Sequence, residues 1–323
     1  MSILVYTENW DGKFKKVSFE LVSYGSQLAT RMNTTAVALS IGKVDDSELK
    51  KLGKYGAAKV LTVDAPGLEI LENKAYASVI GQAAEKVGAG VVILPHNFTG
   101  KALAPRVAVR LKAGMASGVN ALPDSLDPFI IRKGVYTGKA IGHIRINSAV
   151  KVLTLFPNSV ELVETTNHEA VEPFTANLAG SDFNLKLLDS KKVTDKILLT
   201  DADIVISGGR GMKGPDKWGP LEELAGLLGA ATACSRPVSD EKWRPHSEHV
   251  GQTGKIIAPN VYIALGISGA IQHLGGVSSA KHIVAVNTDK DAPIFEVAEY
   301  GIIGDVHQLL PALNNAIREA KTH

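Results

Sequence analysis

Five polar loops in the last third of the chain carry the residue types that hold a nucleotide. The first, Ser207-Gly208-Gly209-Arg210-Gly211-Met212-Lys213-Gly214, is a Gly-rich turn with two cations, which suits an anion. The second, Cys234-Ser235-Arg236, ends a strand-like run and puts Arg236 where open α/β sheets bind ligands. The third, Val250-Gly251-Gln252-Thr253-Gly254-Lys255, joins glycines, which let backbone amides approach a ligand, to hydrogen-bonding Gln and Thr side chains. The fourth, Gly266-Ile267-Ser268-Gly269-Ala270-Ile271-Gln272-His273, follows the buried-strand pattern Asn260 to Leu265 and opens onto a short helix. A strand feeding such a turn is how α/β proteins present N–H groups to a phosphate. The fifth, from Asn287 to Asp291, offers side chains for a ribose or adenine, and so does Asp305 farther on. Both are equally at home in a plain turn or a helix cap. Each loop is a modest signal, but together they argue for a nucleotide or dinucleotide cofactor at the carboxyl ends of parallel strands.

Other chemistries compete for the same residues. Gly209 to Gly214 spells G-x-G-x-x-G, which keeps an NAD(P)-linked oxidoreductase open as the alternative. Pro215 and Gly219-Pro220 interrupt the helix that this fingerprint requires. Gly266 to Ala270 nearly spells the G-x-S-x-G nucleophile elbow, with Ala270 in place of the last glycine, so a serine hydrolase on Ser268 is a third reading. Cys234 is the single cysteine, which excludes an intramolecular disulfide and a Cys-cluster metal site, and it reads as a small buried hydrophobe. Of nine histidines only His246 and His249 are close in sequence, and no carboxylate-rich motif completes a metal site there.

The elements that must position these loops read as α/β. In the first third, continuous apolar runs at Ile3–Thr7, Ala36–Ile41, Lys59–Val63 and Val91–Leu94 alternate with amphipathic helical segments at Ser18–Met32, Lys74–Val87 and Gly100–Lys112, with Ser18 as an N-cap. That pattern predicts a parallel sheet covered on both faces. Period-two alternation over Phe129–Lys133 and Lys139–Ile146 predicts antiparallel hairpins, and Val150–Phe156 one more strand. Residues 157–183 lose all periodicity and read as an extended arm or linker. Strand–helix alternation resumes at Ala202 and ends in a helix from Val306 to Ala320. The expected division is therefore 1–190, an N-terminal parallel-sheet α/β domain, and 191–323, a C-terminal Rossmann-like α/β domain. A formal charge of +2 with no basic stripe argues against nucleic acid. No apolar run is long enough to span a bilayer and the N-terminus carries no targeting pattern, so a cytoplasmic protein is expected.

Taken in order, these segments closely resemble the alpha subunit of electron transfer flavoprotein. The resemblance is carried by Ser207-Gly208-Gly209-Arg210-Gly211, Cys234-Ser235-Arg236, Val250 to Lys255, Gly266 to His273, Ala285-Val286-Asn287 and Tyr300-Gly301-Ile302-Ile303-Gly304-Asp305, and Val250 to Asp305 is its most specific part. Gly304 stands where many relatives carry Ala. The resemblance implies a redox carrier with no substrate turnover of its own. It would hold one FAD per alpha–beta dimer in the C-terminal domain, while AMP sits in the beta subunit. Arg210 and Ser235 would serve the pyrophosphate side, and Arg236 the isoalloxazine ring. Gln252 and Thr253 would take the ring side, with the Thr253 hydroxyl near N5, and Val250, Gly251 and Gly254 of the same loop would also bind the cofactor. Ser268, Gly269, Ala270, Ile271 and Gln272 would wrap the ribityl-phosphate part, His273 would face the C2 carbonyl, and Asn287 and Asp305 would hold the adenosine end. The family's electrons come from dehydrogenases such as those of fatty acid β-oxidation, pass through an anionic flavin semiquinone and leave to a membrane-bound quinone oxidoreductase. A cationic His273, or Arg236, would stabilise that anion. At about 4 Å and an effective dielectric near 20 one charge is worth roughly 4 kcal/mol, and half of that moves a one-electron potential by on the order of 90 mV.

Overall fold

The computed structural model describes residues 1–136, 140–165, 170–189 and 197–322. It is α/β and divides into two compact units, Met1–Val135 with Ile141–Lys191, and Tyr136–Ala140 with Lys192–His323. The boundary expected at 190 and 191, Lys139 of the expected hairpin and residues 166–169 of the expected arm lie outside the described residues.

The first unit is built on seven strands: β1 (Ser2–Thr7), β2 (Ala36–Ile41), β3 (Lys59–Val63), β4 (Ala89–Pro95), β5 (Gly114–Val119), β6 (Lys151–Leu155) and β7 (Ala170–Pro173). They form one parallel sheet in the order β7-β3-β2-β1-β4-β6-β5. Side chains alternate between the faces of a strand, and both faces of β1 are buried: Ile3 and Val5 join one core cluster, Leu4 and Tyr6 the other. Helix α1 (Lys16–Arg31) covers the first face, and α2 (Asn73–Lys86) and α3 (Phe98–Arg110) the second. Helix α1 starts ahead of Ser18, with Lys15 at its cap. Ser18 is not the cap because its buried hydroxyl donates to the Glu8 carbonyl (2.7 Å), which frees it to sit inside the first turn. Ser125–Leu126, Phe129–Val135 and Ala140–Arg145 form a separate three-stranded sheet; its two longer strands fall where the alternation predicts strands, and the short first strand, which the pattern does not mark, pairs antiparallel with the second.

The aperiodic stretch from 157 supplies the edge strand β7. Its backbone pairs with β3 while Glu172 bridges Lys59 (2.7 Å) and Lys86 (3.3 Å), and Phe174, Leu178 and Phe183 pack on the core behind it. A four-residue edge strand ending in Pro173 has too little side-chain pattern to be read as a strand.

The second unit has five parallel strands, β8 (Ile204–Gly208), β9 (Ala231–Cys234), β10 (Val261–Leu265), β11 (His282–Asn287) and β12 (Tyr300–Ile303), in the order β9-β8-β10-β11-β12. The chain moves outward from β8 to β9, then crosses back to β10 on the other side. The direction of winding therefore reverses between β8 and β10, and open α/β sheets bind their ligands in the crevice outside such a reversal. Four helices matter to the site and its support: α4 (Gly219–Leu228), α5 (Arg236–Asp240), α6 (Ile271–Val277) and α7 (Val306–Thr322). Among the described residues no helix is long and apolar enough to cross a membrane.

Candidate functional site

Strand register gathers the loops. Gly208 of β8 stands level with Cys234 of β9 and Leu265 of β10, and Leu265 stands level with Val286 of β11. The next residues, Gly209, Ser235, Gly266 and Asn287, therefore stand in one row along the carboxyl edge of the sheet, Asn287 as the last residue of β11. They open onto a cleft of about 450 Å³, within the size range of small-molecule sites.

The glycines of the reversal are a steric requirement. Gly209 N–H donates to the Leu265 carbonyl (2.9 Å) and Gly211 N–H to the Gly266 carbonyl (3.1 Å), which draws the first and fourth loops together. A Cβ on Gly211 would stand 2.6 Å from the Gly266 Cα, and Gly266 itself has φ +63°. The G-x-G-x-x-G run does not open a helix: Arg210–Met212 and Pro215–Lys217 are single 3₁₀ turns, and α4 begins at Gly219. The Pro and Gly residues after Gly214 thus remove the helix N-terminus on which the NAD(P) fingerprint depends.

The loops are tied to one another as well. Val250 N–H donates to the Cys234 carbonyl (3.0 Å) and Gln252 N–H to the Gln272 carbonyl (2.8 Å). Asn287 Nδ2 donates to the Ile267 carbonyl (2.9 Å), clamping the turn before Ser268. In that turn the amides of Ser268, Gly269 and Ala270 have no acceptor among the described residues. The Ser268 hydroxyl has no histidine partner among them, and His273 Nε2 is engaged by the Tyr262 hydroxyl at 2.7 Å, so nothing assembles the nucleophile of a hydrolase.

The cleft wall includes Arg210, Ser235, Arg236, Val250, Gly251, Gln252, Thr253, Ser268, Gly269, Ala270, Gln272, His273 and Asn287. Three other residues of the sequence reading stand outside it. Gly254 packs against the ring of His249, Ile271 is exposed at the start of α6, and Asp305 caps α7 by accepting from His307 N–H (2.9 Å). Asp305 also pairs with Lys213 (2.9 Å), and these contacts hold its carboxyl below the usual range. The wall contains Pro237, Asp240, Ile267 and His249 in addition. Asp240 lies one helical turn after Arg236 and accepts from its Nε (3.4 Å), a spacing visible in the sequence. His249 directly precedes the Val250 loop, and that position next to the glycines is the sequence signal that places it here. Among the described residues no His/Cys/Asp/Glu cluster suits a metal ion.

Electrostatics correct one expectation. His273 is buried, and desolvation pushes its pKa down to about 4, outweighing the opposing effect of the Val250 backbone. It is therefore neutral near pH 7 and contributes a dipole, not the cation considered from sequence. Its Nδ1 is buried with no hydrogen-bond partner among the described residues. Arg236 is the cation that α5 brings to this wall as its first residue; its side chain is 61% exposed, and Asp240 beside it offsets part of its field. Burial pushes the Cys234 thiol up to about 12, so it is an inert core group.

Comparison with known proteins bears on this same region. A family model described as the electron transfer flavoprotein FAD-binding domain matches residues 198–278, and one described as the electron transfer flavoprotein domain matches residues 3–179. The chain is 35% identical to the electron transfer flavoprotein subunit alpha of Syntrophomonas wolfei subsp. wolfei, over 98% of both chains. It is 34% identical to the subunit of the same name in Bacillus subtilis, over 99% of this chain and 98% of that one. It is 32% identical to the acryloyl-CoA reductase electron transfer subunit beta of Anaerotignum propionicum, over 99% and 96%. Two family models, a cleft walled almost wholly by the matched FAD-binding segment and full-length similarity agree: this chain belongs to the electron transfer flavoprotein alpha-subunit family.

Proposed function

We propose that the cleft of the second unit holds one FAD per heterodimer formed with a beta subunit, and that the chain relays electrons between dehydrogenases and a membrane-bound quinone oxidoreductase. The observation that carries this reading is the row Gly209, Ser235, Gly266 and Asn287 at the sheet reversal, with unpaired amides at Ser268–Ala270 beside it. The residues fit the group: free backbone donors suit a pyrophosphate, glycines admit close approach, and the orphaned His273 Nδ1 suits an acceptor on a ring. FAD, when bound, supplies the one- and two-electron chemistry, and this chain supplies binding, orientation and electrostatics.

In this reading Arg210 and Ser235 serve the pyrophosphate, and Ser268, Gly269, Ala270, Ile271 and Gln272 the ribityl-phosphate part. Val250, Gly251, Gln252, Thr253 and Gly254 border the ring, with Arg236 and His273 as donors to the edge where negative charge grows on reduction. Asn287 and Asp305 serve the adenosine end. The 1–190 domain packs on the beta subunit, which holds AMP. Acyl-CoA dehydrogenases of fatty acid β-oxidation are the proposed donors, in the cytoplasm. The name of the Anaerotignum relative, an electron transfer subunit of an acryloyl-CoA reductase, points to the same acyl-CoA class of redox partner.

The visible absorption spectrum of the purified alpha–beta pair tests this. A yellow protein that releases FAD on denaturation is expected. A colourless pair that takes up no FAD but binds reduced nicotinamide would overturn the reading in favour of the NAD(P) alternative.

A further inference from the structure

Tyr262 lies on β10, fully buried, and its hydroxyl meets His273 Nε2 at 2.7 Å. His273 lines the cleft, and its remaining polar atom, Nδ1, is buried and makes no hydrogen bond of full geometry among the described residues; the Val250 backbone lies near enough to favour a proton on the ring without satisfying it. A neutral imidazole carries one proton, and the hydrogen bond made by one nitrogen decides whether the other holds it. Two arrangements are possible. If Nε2–H donated to the phenol oxygen, the phenol proton would have no acceptor, because the Tyr262 hydroxyl has no second hydrogen-bond partner among the described residues. If the phenol donates to Nε2, every proton of the pair is used and the imidazole proton stands on Nδ1. Ser207 Oγ is near enough to favour negative charge on the phenol oxygen without reaching hydrogen-bond geometry, which leaves the donor direction of Tyr262 unchanged. Burial raises the Tyr262 pKa well above its ordinary value, so the phenol keeps its proton throughout the physiological range.

We propose that Tyr262 is a positioning residue: by donating to Nε2 it fixes His273 as the Nδ1–H tautomer, so that a neutral histidine presents a hydrogen-bond donor, not a lone pair, to an acceptor atom of the cofactor. The inference rests on the reading that FAD fills the cleft. A fixed donor aimed at an atom that gains electron density on reduction stabilises the reduced form, and a lone pair in the same place would oppose it. Tyr262 acts through His273 and lines no part of the cleft itself.

The test uses the FAD-loaded heterodimer with ¹⁵N-labelled histidine. In the wild type, the His273 signals, assigned with a His273→Asn control, should show a protonated Nδ1 and a bare Nε2; a protonated Nε2 overturns the proposal. Tyr262→Phe keeps the ring and removes the donor. It should lose the fixed tautomer, keep its FAD, and lower the first one-electron reduction equilibrium by about tenfold, or ~59 mV. An unchanged tautomer with an unchanged potential also overturns the proposal. Should Tyr262→Phe fail to fold, the wild-type tautomer decides alone. A heterodimer that purifies without FAD counts against the FAD reading and still reports the tautomer, so the two failures are distinguishable.

Discussion

At the scale of single residues, the site relies on neutral dipoles more than on charge. Arg236 is the cation proposed for the ring side, but it is mostly exposed and shares its field with Asp240. Solvent and a neighbouring carboxylate both weaken a charge. Arg236→Ala should therefore lower the first reduction potential by clearly less than the ~90 mV that half of a 4 kcal/mol contact implies. Asp240→Asn should raise it. A spectroelectrochemical titration reads both, and an unchanged potential in Arg236→Ala counts against its role. His273 gives a second prediction. Its pKa falls from 6.5 unfolded to about 4 folded, so between these values the unfolded chain binds a proton that the folded chain refuses. Its contribution to stability is intact above about pH 6.5, declines as pH drops towards 4, and reaches roughly 3 kcal/mol of loss at most. His96 of the first unit is likewise pushed down to about 4, mainly by burial, and adds to the acid sensitivity. His273→Asn should consequently lose less stability than the wild type between pH 7 and pH 4.5, measured as the shift in urea midpoint.

At the scale of elements, the site depends on two turns that touch through glycine. Gly266 combines φ +63° with a Cβ position 2.7 Å from the Gly211 Cα, so Gly266→Ala strains the backbone and forces the β8 and β10 loops apart. We expect about 2–3 kcal/mol of destabilisation and loss of FAD from the purified pair. Gly226→Ala is the control: it sits exposed in α4, a Cβ there meets nothing within 4 Å, and alanine should stabilise by about 0.5–1 kcal/mol. Urea midpoints and flavin absorbance of the two variants check both. These turns also show why much of the site could be read in advance. Gly, Ser, Asn and Arg cluster after apolar strand runs because backbone approach and anion binding need them there, and that pattern is local in the chain. What could not be read depends on register and packing. The linkage of Asn287 to the Ile267 carbonyl, the pairing of Asp305 with Lys213, and the burial that neutralises His273 all arise between segments apart in sequence. The edge strand β7 escaped for a related reason, since its stability comes from the β3 backbone and two lysines and not from its own side-chain period.

At the scale of the whole molecule, each unit carries its own apolar cores: Leu4, Val5 and Ile93 belong to those of the first, and Val205, Ile206, Tyr262 and Leu265 to those of the second. The proposed cofactor meets only residues of the second. A ligand that binds the native state alone stabilises it by RT ln(1 + [L]/Kd), about 2.7 kcal/mol at one hundred times Kd, and does so only for the cooperative unit whose unfolding destroys the site. Adding FAD at that ratio to the flavin-free heterodimer should therefore raise the unfolding transition reported by Trp218, which is buried against Gly208 in the second unit. Val5→Ala deletes apolar volume from the β1 core and should destabilise the first unit by roughly 1–3 kcal/mol. If the site is self-contained, that variant keeps the wild-type flavin spectrum and the same FAD-induced gain for the second unit. A Val5→Ala heterodimer that folds but has lost its FAD-induced stabilisation would show that the cleft needs the first unit's core intact, and that binding is a property of the whole chain and not of its C-terminal unit.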